Sequence, residues 1–179
     1  MIQDGGLLKK TLGRLAVIAM IVSAGCTKQP QQVRHLHESQ EPDSATMAQL
    51  RFNMHMADAA DQACIKEVRK DSLQYAQDDF GFWYAKVVSH PSDTIEKGEE
   101  VALHLILSEL DGKVIADVKD RFVAGSGDLP NAINRSLRQM CRGEEMMIIA
   151  PWYAAYGVEG TTLVKPYTNL RIDLKVIDE

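Results

Sequence analysis

Residues 170–176 read Leu-Arg-Ile-Asp-Leu-Lys-Val, which puts Leu170, Ile172, Leu174 and Val176 on one side of an extended chain and Arg171, Asp173 and Lys175 on the other. Successive side chains of a strand point to opposite faces, so this alternation predicts a half-buried β-strand and not a helix. From Gly98 onward the same period returns, with Val101, Leu103, Leu105 and Leu107 facing one way and Ala102, His104, Ile106 and Ser108 the other. Asp111-Gly112 predicts a hairpin turn, because glycine accepts the positive φ such turns demand, and Val114-Ile115-Ala116 leads back from it. Asp128 is placed to cap a short helix with Pro130 in its first turn, Ile133, Leu137 and Met140 as its buried stripe, and Gly143 as its end. Residues 144–150 read as a further strand. Antiparallel strands and one short helix make an α+β domain, a sheet wrapped on a helix.

The chain opens with an address. Lys9, Lys10 and Arg14 precede an apolar stretch at residues 15–22, far short of the ~20 residues a membrane-spanning helix needs. Ser23-Ala24-Gly25-Cys26 follows. Small residues directly before a cysteine resemble a bacterial lipoprotein signal, in which residues 1–25 are removed and Cys26 is lipidated as the new N-terminus. Ser23 departs from that pattern, which more often has Leu there, and a plain secretory signal with an unmodified Cys26 is the other reading. Removing Lys9, Lys10, Arg14 and Asp4 takes the net charge from -5 to about -7, so lipid chains and not charge must hold the protein to a membrane. The acidic balance speaks against a nucleic-acid partner. Export also removes the ATP supply that nucleotide-driven chemistry needs. Thr27 follows Cys26 where inner-membrane retention would favour Asp, which points to the outer membrane, periplasmic side.

Residues 26–45, with Gln29-Pro30-Gln31-Gln32 and Glu41-Pro42-Asp43-Ser44, carry too little apolar surface to fold and read as a flexible tether. Residues 46–79 read as a helical arm. Asp43 or Ser44 can cap it, and Met47, Leu50, Met54, Met56, Ala60, Cys64, Ile65 and Val68 recur at helical spacing, with residues 71–76 as a continuation. Residues 80–88, rich in aromatic and β-branched side chains, predict a strand docked on the main core. His35-Leu36-His37 and Met54-His55-Met56 offer soft metal ligands, but no third or fourth ligand falls at a workable spacing; solvated histidines and core-filling methionines are the simpler expectation. Cys64 and Cys141 could pair after export or remain thiols.

The ordered set Phe122-Val-Ala-Gly-Ser-Gly127, short helix, Met140-Cys-Arg-Gly143-Glu144, strand, Ala155-Tyr156-Gly157, Pro166 and Leu170-Arg-Ile172 resembles the FKBP-type peptidyl-prolyl isomerases over residues 80–179. The Gly81-Phe82-Trp83-Tyr84 strand, behind a helical arm and a lipoprotein-like signal, is also similar to exported FKBP-type lipoproteins, including gliding-motility-associated ones. The resemblance implies a five- or six-stranded antiparallel sheet curled round the short helix, proline-containing exported polypeptides as partners, and no cofactor. It also admits a homodimer through residues 46–79.

By the same resemblance, Tyr156 donates to the substrate carbonyl, and Leu105, Ile115, Phe122, Leu129, Pro130, Ile133 and Ile172 line the substrate hollow. Four of these depart from the family pattern. Leu105 stands where it has Tyr, Ile115 where it has Phe, Ile133 where it has Trp and Ile172 where it has Phe. Ala116 replaces an Asp, for which Asp117 could stand in only if the hairpin shifts register. Pro130 lacks the N–H expected at the helix entry. The hollow is thus apolar but poor in aromatics, which suits either a weak isomerase or a non-catalytic binding or structural module of the cell envelope. Trp152 and Tyr153, just before the Tyr156 loop, could lean over the hollow or simply pack.

Overall fold

The computed structural model describes residues 43–90 and 93–177. The signal segment, Cys26, His35, His37 and most of the tether lie outside the described residues. Helix α1 runs from Ser44 to Lys70, capped by the Asp43 carboxylate, which accepts from the Thr46 amide at 2.7 Å. The arm is one helix, ended at Asp71, whose extended backbone (ψ 151°) breaks the helical path. Residues 71–76 therefore do not continue it; they lead into a two-residue strand, β1 (Ala76–Gln77).

Strands β2 (Trp83–Val88), β3 (Glu100–Glu109), β4 (Val114–Val123), β5 (Glu145–Ala150) and β6 (Leu170–Val176) join β1 in one sheet of order β1-β2-β5-β6-β3-β4. Every pairing is antiparallel. β6 occupies the middle over the residues its alternation marks out, with Leu105 opposite Leu174 and Leu107 opposite Ile172 on β3, and Ile148 opposite Ile172 on β5. β2 begins at Trp83 and not at residue 80, because residues 78–81 turn: the Gly81 amide donates to the Asp78 carbonyl and Gly81 has φ 91°. A Cβ on Gly81 would fall 2.7 Å from the Tyr153 hydroxyl oxygen.

Helix α2 (Asn131–Leu137) is shorter than its sequence suggests. Pro130 sits just before it as the cap residue, and Asp128 makes no cap; the Asn134 amide instead ties the preceding loop to the helix. The helix ends at Arg138, well before Gly143, whose amide bonds to the Val176 carbonyl beside β5. Ile133, Leu137 and Met140 are nevertheless all fully buried.

The sheet is covered on both faces. Phe82, Met146, Ile148, Ala150, Leu170, Ile172 and Leu174 pack with Ile133 and Leu137 of α2 in the main core. Trp83 and Ile149, the alternate residues of β2 and β5, pack with Cys64 of α1 in a second, smaller cluster. Burial on both faces explains why β5 is an unbroken apolar run from Met146 to Ala150. No disulfide joins Cys64 and Cys141: Cys64 packs among Trp83 and Ile149, whereas Cys141 bridges to Thr94 at the other end of β5. Burial pushes the Cys64 thiol up to about 12, which makes it inert.

Only Ala60 and Cys64 of α1 are fully buried, so the apolar repeat overstates the packed face. Leu50, Phe52 and Met54 stand 50%, 50% and 59% exposed, and Met54 fills no core gap.

Candidate functional site

The residues expected at the hollow come together, but in two layers. Leu105, Leu129, Ile133 and Ile172 are only 4%, 6%, 0% and 0% exposed and belong to the main core. Ile115, Phe122 and Tyr156 are half-buried and pack against that core from outside. Leu105, Leu129, Ile133 and Ile172 therefore offer almost no surface to solvent, and Ile115, Phe122 and Tyr156 form the more exposed rim of the candidate set. Pro130 is half-exposed at the entry to α2, and its carbonyl accepts from the Asn134 amide at 3.0 Å.

The hairpin explains how Ile115 reaches this rim. Leu107 pairs with Ala116 and Ser108 with Val114, so Ile115 is an extra residue in a β-bulge. Such a bulge bends the strand and re-aims its side chains. The bulge does not bring Asp117 to the hollow. Asp117 lies opposite Ile106, exposed, and its carboxylate is 2.7 Å from His104 Nε2 on the outer face. The site has no acid at that position.

Tyr156 follows a short 3₁₀ turn (Trp152–Ala154) that continues directly from β5. The turn is pinned by the Asn169 side chain, which accepts from the Trp152 amide at 2.9 Å. The Trp152 carbonyl in turn accepts from the Gly157 amide at 2.8 Å, closing a ring of backbone around Tyr156. The Tyr156 carbonyl accepts from Gly160, which has φ 67° and where an added Cβ would fall 2.3 Å from the Val164 carbonyl oxygen, so no side chain fits. Among the described residues no group takes up the Tyr156 hydroxyl, and desolvation alone raises its pKa. The raised pKa keeps the phenol neutral, so it retains an O–H donor.

Trp152 and Tyr153 do not lean over the rim. The Trp152 indole N–H donates to the Met56 carbonyl at 3.2 Å, and the Tyr153 hydroxyl donates to Asp61 Oδ1 at 2.5 Å, both on α1. Burial and the Asp61 carboxylate push the Tyr153 phenol upward. Ordinary packing is the role the structure gives them.

Two residues that shape the site escape sequence reasoning. Asn134 accepts from Gly125 and donates to the Ser126 and Leu129 carbonyls, fixing the loop that carries Leu129 and Pro130. Its signal is an amide beside Ile133 in an otherwise apolar stripe. Tyr167 sits at φ 57°, a left-handed conformation rare for a bulky residue, and its amide donates to the Gly157 carbonyl at 3.1 Å. No pattern in the sequence marks it.

A polar hollow lined by Asp93, Thr94, Glu96, Lys97, Glu99 and Arg142 shares none of these residues. Arg142 and Glu99 pair within it, and it offers no apolar wall for a prolyl ring. Glu144 is likewise structural: its buried carboxylate accepts from Lys86, Ser89, His90 and Cys141, and burial, the largest influence, is outweighed by these donors, which hold it below the usual range.

Residues 92–177 match the family model described as FKBP-type peptidyl-prolyl cis-trans isomerase. Among solved structures, a peptidyl-prolyl cis-trans isomerase from Pseudomonas syringae pv. tomato is 18% identical, with a TM-score of 0.60, covering 70% of this chain and 93% of that one. FkpA from Escherichia coli is 16% identical, with a TM-score of 0.61, covering 75% of this chain and 64% of its own. AtFKBP13 is 20% identical, with a TM-score of 0.54, covering 59% and 98%. No curated protein matches the chain. The family match is confined to residues 92–177, and the fold is FKBP-like.

Proposed function

We propose that the chain is a weakly active FKBP-type prolyl isomerase, lipid-anchored through Cys26 on the periplasmic side of an outer membrane and serving proline-containing exported polypeptides. The observation that carries the reading is the Tyr156 hydroxyl, in an Ala-Tyr-Gly loop packed against the apolar core with Ile115 and Phe122 and without a partner among the described residues.

Rotation about an X-Pro bond faces a barrier of ~18–20 kcal/mol from amide resonance. No covalent step is needed. A planar amide is more polarised than a twisted one, so an apolar rim disfavours the ground state relative to the twisted transition state. Ile115 and Phe122 would exclude water from one side of the prolyl ring while Tyr156 donates to the carbonyl and fixes the twist. Aliphatic replacements at Leu105, Ile115, Ile133 and Ile172 remove stacking surface, each lost aromatic contact being worth ~0.5–1.5 kcal/mol beyond area. Turnover should accordingly be low.

A protease-coupled assay on succinyl-Ala-Xaa-Pro-Phe peptides tests this. Expected is a rate above buffer for at least one Xaa, lowered about tenfold by Tyr156→Phe, less than the ~10²–10³ lost with a donor to a full oxyanion. Rates equal to buffer for every Xaa overturn it. The complete burial of Ile133 and Ile172 favours the second reading, a non-catalytic binding or structural module, which predicts peptide binding without turnover. For the homodimer through residues 46–79, the exposed Leu50 and Met54 offer a surface; Leu50→Gln with Met54→Gln should lower the sedimenting mass, and an unchanged mass rejects that role.

A further inference from the structure

Both ends of the Tyr156 loop are held by α1. Before it, Trp152 and Tyr153 reach the Met56 carbonyl and Asp61 Oδ1. After it, the Tyr167 hydroxyl donates to Asn53 Oδ1 at 2.8 Å, and its ring meets Phe52 edge-on at 5.7 Å and Trp152 at 4.9 Å. The two ends meet at Gly157, whose amide donates to the Trp152 carbonyl and whose carbonyl accepts from the Tyr167 amide. Gly157 directly follows Tyr156. A bulky residue at φ 57° persists only where its surroundings hold it, and for Tyr167 those surroundings are α1 and Trp152.

Asn53, Met56 and Asp61 lie on the same stripe of α1 as the buried Ala60 and Cys64, so docking the helix and framing the loop are one packing event. We propose that α1 is a positioning element for Tyr156, acting through Asn53 on Tyr167, the Met56 carbonyl on Trp152 and Asp61 on Tyr153. This rests on the isomerase reading for its effect on turnover, but not for its effect on Tyr156 itself.

The experiment compares Asn53→Ala with Asp61→Ala against Asn53→Asp with Asp61→Asn, which keeps both acceptor oxygens, in protein carrying ring-¹³C tyrosine. In the alanine pair, with helix content retained by circular dichroism, the Tyr156 resonance should move and its phenol titrate closer to the ordinary tyrosine value. Where turnover is measurable, kcat should fall at least threefold with KM near that of the parent. The acceptor-keeping pair should restore the resonance, the titration and the rate. Should the alanine pair unfold, Tyr167→Phe removes a single hydroxyl and gives the same readout. The proposal is overturned if the Tyr153 and Tyr167 resonances move while the Tyr156 resonance and titration stay at parent values. Absence of turnover in the parent protein would defeat the isomerase reading and leave the positioning claim to the resonance alone.

Discussion

On the α2 side of the sheet the packing is mostly aliphatic, with Leu103, Ile133, Leu137, Ile148, Ile172 and Leu174 buried there and Phe82 the one large aromatic among them. Against α1 it is aromatic: Trp83 packs by Cys64, and Tyr153 and Tyr167 each meet the Trp152 ring edge-on, all three bonding to the helix. Aliphatic chains on the α2 side pack as a buried core. Aromatic chains with polar tips hold the α1 side by hydrogen bonds as well as by area, which suits a surface only partly closed to water.

The largest effect expected from this contrast is on the α2 side. Ile172→Ala removes a fully buried side chain between Leu107 and Ile148 and should lower stability by about 2–5 kcal/mol in urea unfolding, as large-to-small changes in tight cores do. Ile65→Ala, a half-buried residue of α1, should cost about 1 kcal/mol or less, since partial burial leaves little contact to lose. Equal losses at the two positions would break the comparison.

A middle effect is expected at the point where the α1 side admits no added atom. Gly81 has φ 91° and lies against the Tyr153 ring, so Gly81→Ala adds both backbone strain and a clash with the hydroxyl that reaches Asp61. The left-handed penalty for a residue with a Cβ is about 1–2 kcal/mol, and thermal unfolding should register a loss of that order. The same substitution in a Tyr153→Ala background should lose less. Additive losses would show that the contact with Tyr153 contributes nothing.

Local period carried β3, β5 and β6 into view, because each has a side chain sequence that burial on one or both faces dictates. β6 could be read residue by residue from Leu170 to Val176. The short α2 was overread at both ends: Asp128 and Gly143 have the right chemistry for caps, but the loop's hydrogen bonds went to Asn134, and Gly143 serves β5. Residues 71–76 look helical by composition yet follow a break at Asp71. At the candidate site, the Ala-Tyr-Gly setting is what singles out Tyr156. The bulge at Ile115, the loss of Asp117 to His104 and the left-handed Tyr167 were not legible, since each depends on which strand lies opposite or which helix lies alongside.

The smallest effect sharpens the polar edge of the α1 side. Asp173 on β6 lies opposite Met147 and Ile106 and is half-buried. Burial raises its pKa most; Asp71 at the end of α1 and Glu145 add to that, while Arg171 and His104 oppose it. A carboxyl whose folded pKa lies above its unfolded value of 3.8 favours the folded state while protonated, and that advantage is lost as pH rises through the folded pKa. Asp173→Asn has no proton to lose, so its urea midpoint should rise relative to the parent as pH climbs from about 3.8, reaching a plateau by neutrality. Partial exposure keeps the gain below about 1 kcal/mol. A gap that narrows with rising pH would mean that the charged form is the favoured one, and that Arg171, which also bonds Asp71, holds Asp173 more firmly than burial repels it.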